Sequence, residues 1–289
     1  MKKVALIGLG KWGNNILREL VGLGNDVVVL LHNKDLAKEE FISQTYPDVS
    51  FTYQINDIRD DESVESVFVV TPMSTHYDVC MGFVNAGKRI YVEKPITNSL
   101  ETAEGLIEAA NENKVEFMVG LIFLYHECFK HLLNIAKNEK VAEVIATKTL
   151  RTTSDPTSSK DLFLDTFIHE MSILIKLFGE PIQVIYNKDT KKLEVDFKDT
   201  KASVVLLEQN QQEKIRKFEF VAHDGKYLWN NDELFDKNGD LMCKPEISTL
   251  RSELSLFLNK YSVNKDYIDS NNKIAVTCVG VLEEIYNRF

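Results

Sequence analysis

The sequence predicts an α/β protein in two parts: a doubly wound, parallel Rossmann sheet, then a C-terminal α+β domain with a largely antiparallel open sheet. Three observations carry this expectation. A glycine triplet, Gly8-Leu9-Gly10-Lys11-Trp12-Gly13, separates a short apolar strand from a helical repeat. Strands and helices then alternate to about residue 120, as parallel β-α-β units do. Beyond that point strands follow one another with few helices between them, the pattern of an antiparallel or mixed sheet. With 289 residues the chain is long enough for two domains, and the expected division is 1–120 and 121–289.

Val4-Ala5-Leu6-Ile7 reads as a buried strand running into the glycines. Ile16, Leu17, Leu20 and Val21 then repeat at helical spacing, and Asp26 to Leu31 is a second β-branched strand. In this context Gly8 allows a tight turn, Gly10 lets the backbone approach a pyrophosphate, and Gly13 lets helix and strand pack closely. The helix N-terminus offers N–H groups and a positive dipole end to the phosphates. Gly8, Gly10, Lys11, Trp12 and Gly13 are therefore candidate dinucleotide-binding residues. Where an NAD site usually places an acid against the ribose, the chain reads Leu31-His32-Asn33-Lys34. His32, Asn33 and Lys34 suit a 2′-phosphate and tilt the expectation toward NADP; if they are only solvated loop residues, NAD remains.

Val67 to Val70 is a further strand, ending in Thr71-Pro72-Met73-Ser74-Thr75-His76. Tyr77 to Ala86 is helical and Gly87 closes it. Arg89-Ile90-Tyr91-Val92 is a buried strand that stops at Glu93-Lys94-Pro95, because proline cannot continue the ladder. Ligands of open parallel sheets bind beyond such carboxyl ends, so Glu93 and Lys94 are candidates; a surface ion pair is the plainer alternative. Leu100 to Asn113 and Val115 to Val119 complete the first part. In the second, His126 to Lys137 is a helix, Val144 to Arg151 a strand, and Thr152 to Lys160 a polar loop without an apolar anchor. Asp161 to Phe178 is a helix whose Phe163, Phe167, Met171, Leu174 and Phe178 form a core stripe. On another face Asp165 and His169 stand four apart and can be neighbours. They read either as an oriented general base or as a satisfied histidine. Strands at Ile182–Tyr186, Leu193–Phe197, Ser203–Leu207 and Lys214–Val221 follow, then closing helices at Ile247–Tyr261 and Lys273–Asn287.

The formal net charge of −10 argues against nucleic acid and against an anionic membrane surface as partners. Cys80, Cys128, Cys243 and Cys278 form no C-x-x-C pair, so no metal is expected and all four are expected as reduced thiols. The N-terminus lacks a signal-peptide apolar region, and no run is long enough to span a bilayer. The expected compartment is the cytoplasm.

Together these motifs resemble the glucose-fructose oxidoreductase / inositol dehydrogenase / rhizopine-catabolism family over nearly the whole chain. The resemblance rests on the glycine triplet, Thr71-Pro72 with His76, Ala86-Gly87-Lys88 leading into Glu93-Lys94-Pro95, Asp165-x-x-x-His169, and Leu177-Phe178-Gly179-Glu180-Pro181. Trp12-Gly13-x-Asn15, Phe123-Leu124-Tyr125 and Asp161-x-x-x-Asp165-x-x-x-His169 look like the nucleotide-sugar 3-dehydrogenases within it. The chain departs from that subgroup at Leu121, Glu127-Cys128 and Leu164, all in the part expected to hold substrate.

The resemblance implies an NAD(P)-dependent oxidoreductase passing hydride between the nicotinamide and a secondary hydroxyl or ketone of a sugar, a nucleotide-linked amino sugar at C3. It implies Lys94, His169 and Asp165 as catalytic residues. Thr71, Pro72, His76 and Glu93 join the dinucleotide site, and Tyr125 and Arg151 meet the substrate. The alternatives are a 3-ketosugar reductase, a cyclitol or imine oxidoreductase, or a dinucleotide-binding regulator without chemistry. Ser203-Val204-Val205-Leu206-Leu207 would leave apolar residues on both faces of its sheet, so a homodimer or homotetramer is expected.

Overall fold

Runs such as Val4-Ala5-Leu6-Ile7 and Val67-Phe68-Val69 are buried throughout, as strands covered by helices on both faces must be. The computed structural model describes residues 2–150, 154–207, 215–260 and 262–288. By its packing the chain divides into two compact units, Met1–Gly120 with Leu250–Val276, and Leu121–Thr249 with Thr277–Phe289.

The first unit contains β1 (Lys3–Ile7), α1 (Lys11–Gly22), β2 (Asp26–Leu30), α2 (Leu36–Thr45), β3 (Ser50–Thr52), α3 (Ile55–Arg59), β4 (Val64–Val69), α4 (His76–Asn85), β5 (Arg89–Glu93), α5 (Leu100–Glu112) and β6 (Phe117–Gly120). The strands are all parallel, in the order β3-β2-β1-β4-β5-β6. Strand order reverses between β1 and β4, and the carboxyl ends beside that switch point are where ligands bind in such sheets. The segment Leu36–Arg59 was not resolved by periodicity, because α2 buries only Ile42. The edge strand β6 is closed by a side chain: Asn272 Nδ2 donates to the Phe117 carbonyl at 2.7 Å and its Oδ1 accepts from the Val119 N–H at 3.0 Å. That pairing satisfies backbone groups that an edge would leave bare.

The second unit contains α6 (Phe129–Asn138), β7 (Val141–Thr149), α7 (Lys160–Phe178), β8 (Gln183–Asn187), β9 (Lys192–Asp196), β10 (Lys201–Leu207), β11 (Arg216–Ala222), β12 (Gly225–Asn230), β13 (Glu233–Phe235) and β14 (Leu241–Cys243). They form a mixed sheet, β14-β13-β12-β11-β7-β10-β9-β8, antiparallel except where β7 meets β10. Val144, Ala146, Val204, Phe218 and Phe220 are buried on one face. Phe163, Phe167, Met171 and Leu174 of α7 are fully buried, and Phe163 and Phe167 meet Tyr186 of β8 with ring centroids 5.3 and 5.4 Å apart. On the opposite face Ile145, Val205, Leu207 and Leu228 are half-buried and Ile185 is exposed. Pro156, expected in an unanchored loop, is buried in a 3-10 turn that leads to the Ser159 cap of α7. The closing helices are α8 (Thr249–Lys260) and α9 (Lys265–Tyr286), the latter starting earlier than its apolar periodicity suggested.

One expectation is overturned. Cys128 and Cys243 form a disulfide, with Cα atoms 5.5 Å apart, while Cys80 and Cys278 are buried thiols. Sequence spacing could not show this, because 115 positions separate the pair and only the sheet brings β14 to the start of α6. The pairing also withdraws the support that four reduced thiols lent to a cytoplasmic setting. Among the described residues no helix is long and apolar enough to cross a membrane.

Candidate functional site

The glycine turn is built as its sequence requires. Gly8 has φ +106°, and a Cβ there would sit 2.6 Å from the Val70 carbonyl oxygen. A Cβ on Gly13 would overlap the Gly8 carbonyl oxygen, so this residue sets the closeness of α1 and β1. Gly10 is different: it is the N-cap of α1 in extended conformation, and a Cβ there meets nothing within 4 Å. No side chain caps α1 and no acid lies in its first turn, which leaves an uncapped helix start facing open space. That is the donor set a phosphate needs. The residues therefore fit a dinucleotide.

At the end of β2, His32, Asn33 and Lys34 are exposed. The first carboxylate beyond them, Asp35, is committed elsewhere: it caps α2 by accepting from the Lys38 N–H at 3.2 Å and pairs with the Lys38 ammonium at 3.1 Å. Thr71 and Pro72 follow β4, with the Thr75 hydroxyl 2.8 Å from that of Thr71. His76 is fully buried, its Nδ1 3.0 Å from the Pro95 carbonyl and its Nε2 2.8 Å from the Thr71 carbonyl. It thus ties the end of β4 to the end of β5, and burial holds its pKa below the ordinary value. Both ring nitrogens face backbone carbonyls, and the neutral ring donates to one of them, so it shapes the site through Thr71 and Pro95.

Glu93 ends β5 buried, and its Oε1 accepts from the Trp12 indole N–H at 2.6 Å. The glycine turn and the Glu93-Lys94 strand end are thereby joined by a hydrogen bond. Burial raises the Glu93 pKa, opposed by the neighbouring Lys94 charge and by the Trp12 bond. Lys94 is half-buried.

In the second unit Asp165 and His169 lie one turn apart on α7, the first half-buried and the second buried. The His169 ring meets Phe123 edge-on, centroids 4.9 Å apart. The Arg216 guanidinium lies over the Phe123 ring, 3.0 Å from its centroid, so Phe123 touches both a cation and the candidate base. Arg216 and Lys148 are register partners on β11 and β7, at the end of an otherwise apolar face. Glu170 explains them: its carboxylate lies 2.8 Å from Lys148 Nζ and 3.4 Å from Arg216 Nη2. Burial alone would raise the Glu170 pKa, but the two cations outweigh it and hold the carboxyl below its usual range. Tyr125 is half-buried at the end of a 3-10 turn, Ile122–Tyr125. Arg151 lies outside the described residues.

Residues 2–121 match the family model described as an oxidoreductase family with an NAD-binding Rossmann fold. This part of the chain belongs to that family. Within the wider family, scyllo-inositol 2-dehydrogenase (NADP(+)) of Bacillus subtilis is 33% identical over 90 residues, 31% of this chain and 24% of the relative. Human biliverdin reductase A is 24% identical over 297 residues, 98% of this chain and 94% of the relative. The crystal structure of UDP-N-acetylglucosamine 3-dehydrogenase from Acidithiobacillus ferrooxidans has the same fold, with a TM-score of 0.81 at 18% identity, covering 99% of this chain and 97% of that one. The chain spans between 24% and 59% of the length of the curated relatives it matches first.

Sequence reasoning missed Lys148, Glu170, Arg216 and the buried His126. A signal was present for Lys148 and Glu170. Lys148 stands in the inward register of a strand that reads Val144, Ala146, Lys148, and Glu170 follows His169 in a largely apolar helix. A charge at an inward position calls for a partner.

Proposed function

We propose that this chain is an NAD(P)-dependent oxidoreductase that passes hydride between the nicotinamide and a secondary hydroxyl, or the matching ketone, of a sugar. Its finer form is oxidation at C3 of a nucleotide-linked amino sugar. The observation that carries the oxidoreductase reading is the glycine cradle, open at Gly10 and closed at Gly8 and Gly13, hydrogen-bonded through Trp12 to a strand ending in Glu93 and Lys94. The relatives named as inositol dehydrogenases and as UDP-N-acetylglucosamine 3-dehydrogenase support a polyhydroxylated substrate.

In this reading the turn Gly8–Gly13, with Lys11 and Trp12, holds the pyrophosphate. His32, Asn33 and Lys34 meet the adenosine ribose, and their exposure without a competing carboxylate supports NADP over NAD. Thr71, Pro72 and Glu93 bound the nicotinamide side, with His76 holding Thr71. The bound dinucleotide supplies the hydride acceptor or donor. His169 takes the hydroxyl proton, Lys94 donates a hydrogen bond to the same oxygen and steadies its developing charge, and Asp165 orients His169 or binds a neighbouring hydroxyl. Tyr125 and Arg151 hold the rest of the substrate. The test is cofactor reduction on addition of UDP-sugars, inositols and free sugars. Loss of His169 should cost about 10²–10⁴-fold in turnover, with dinucleotide affinity unchanged. Cofactor binding without turnover on any of them would leave the regulator reading.

The match along nearly the whole chain to human biliverdin reductase A favours a second reading, with biliverdin as the hydride acceptor. Its test is the colour change of biliverdin with NADPH, in which His169→Ala need not slow the reaction as it must with a sugar.

A further inference from the structure

We propose that Glu253 is a positioning residue for the Glu93 carboxylate, acting through the Tyr91 hydroxyl. This rests on the reading that the Gly8–Gly13 turn and Glu93 serve a bound dinucleotide. Tyr91 and Glu93 are two apart on β5 and so point to the same face. Glu253 arrives from α8 on the stripe that also carries Leu250, Leu254, Phe257 and Leu258, all buried. An acid on the apolar stripe of a helix is out of place unless something there uses it. Glu253 is 0% exposed. The Tyr91 hydroxyl lies 3.0 Å from Glu253 Oε2 and 3.1 Å from Glu93 Oε1, and the same Glu93 oxygen accepts from Trp12 at 2.6 Å. One line of hydrogen bonds therefore runs from a sealed acid to a residue of the glycine turn.

The surroundings hold that line in place. The Tyr91 ring is fixed by Phe68 and Phe257, with centroids 5.5 and 6.0 Å away. A Cβ on Gly120 would overlap the Tyr91 hydroxyl and stand 3.2 Å from Glu93 Oε1. Glycine at 120 is there for room.

Counting hydrogens gives the direction. Tyr91 has one proton to share between two acids. Glu93 faces the Trp12 N–H, the Tyr91 hydroxyl, the Lys94 N–H at 3.3 Å and the Lys94 charge. Among the described residues Glu253 faces Tyr91 and the negative end of Glu93, and its Oε1 has no hydrogen-bond partner. Burial, then the Glu93 charge, push the Glu253 acid well above the carboxylate range. Glu253 is thus the neutral member: it donates to Tyr91, and Tyr91 donates to Glu93. An ionised Glu253 would place two carboxylates around a single proton in a dry core. The proton has no exit past the sealed Oε1, so the line orients Glu93 and does not conduct.

The test uses the full chain with NADP and NAD as probes. Tyr91→Phe should weaken dinucleotide binding about tenfold, the scale of one hydrogen bond to a charged acceptor, and Glu253→Met, which leaves the Tyr91 hydroxyl unanchored, should weaken it several-fold. Glu253→Gln, whose amide can donate to Tyr91, should recover most of that loss. Because a buried acid costs stability, Glu253→Met should melt no lower than the wild type. Infrared spectra at neutral pH should show a protonated carboxyl band that is absent in Glu253→Gln and shifted in Tyr91→Phe. Wild-type affinity in both variants, a fall in melting temperature that accounts for the lost binding, or a missing or unshifted band would each overturn the proposal. If the wild type binds neither dinucleotide, the functional reading fails, and the infrared band still decides the relay.

Discussion

Replacing Gly10 with valine should remove dinucleotide binding while the protein stays folded. Gly10 has φ −92° and ψ −168°, a conformation valine adopts without strain, and its Cβ would meet nothing within 4 Å. The folding cost is then the poorer N-cap alone, about 1 kcal/mol, which lowers the melting temperature by about 2–4 °C in a protein of this size. The valine methyl groups, however, fill the space in front of the helix N-terminus that a pyrophosphate must enter. Losing that approach should weaken NADP and NAD at least about 100-fold, roughly 2.7 kcal/mol. Gly13→Val is the control, because its side chain collides with the Gly8 carbonyl and so must harm folding and binding together. Calorimetric titration and thermal unfolding of both variants read the two effects separately. Dinucleotide affinity in Gly10→Val equal to that of the wild type would refute the placement of the phosphates.

Glu170→Gln should destabilise the chain by about 3–5 kcal/mol, because Lys148 and Arg216 lose a countercharge that is only 1% exposed. The cations hold the Glu170 pKa low in the fold, so its contribution is complete above the unfolded value of about 4.3 and vanishes as pH falls through the folded one; denaturant titrations should show that acid-side loss in the wild type and not in Glu170→Gln. Cys243→Ser, or a reductant, should lower stability by about 2–4 kcal/mol, and a melting temperature indifferent to reductant would disprove the Cys128–Cys243 link. Light scattering should show a dimer or tetramer built on the face carrying Ile145, Val205 and Leu207, with Val205→Lys dissociating it; a wild-type monomer at micromolar concentration rules this out.

What could be read from the sequence was what is local. The glycine turn, the β5 stop at Pro95 and the stripe of α7 each declare themselves within a dozen residues, because backbone sterics and periodicity act at that range. The short elements between Leu36 and Arg59 escaped, since α2 has a single buried residue to mark its face. The longer-range features escaped for a different reason. Cys128 with Cys243, Lys148 with Arg216 and Glu170, and Tyr91 with Glu253 meet only through strand register and helix docking. In the last case a trace was present, an acid at the i+3 place between Leu250 and Leu254, but nothing in the spacing named its partner.

The proposal that Lys94 and His169 serve one substrate oxygen is most directly tested by a double-mutant cycle on kcat/KM with a turned-over sugar substrate. If both side chains serve one substrate oxygen, Lys94→Ala and His169→Ala should each be severe, and the double variant should be scarcely slower than the worse single one, as for residues that act as a unit. Effects that simply add, or a His169→Ala variant with wild-type turnover, would contradict a shared oxygen and leave a dinucleotide-binding protein whose chemistry lies elsewhere.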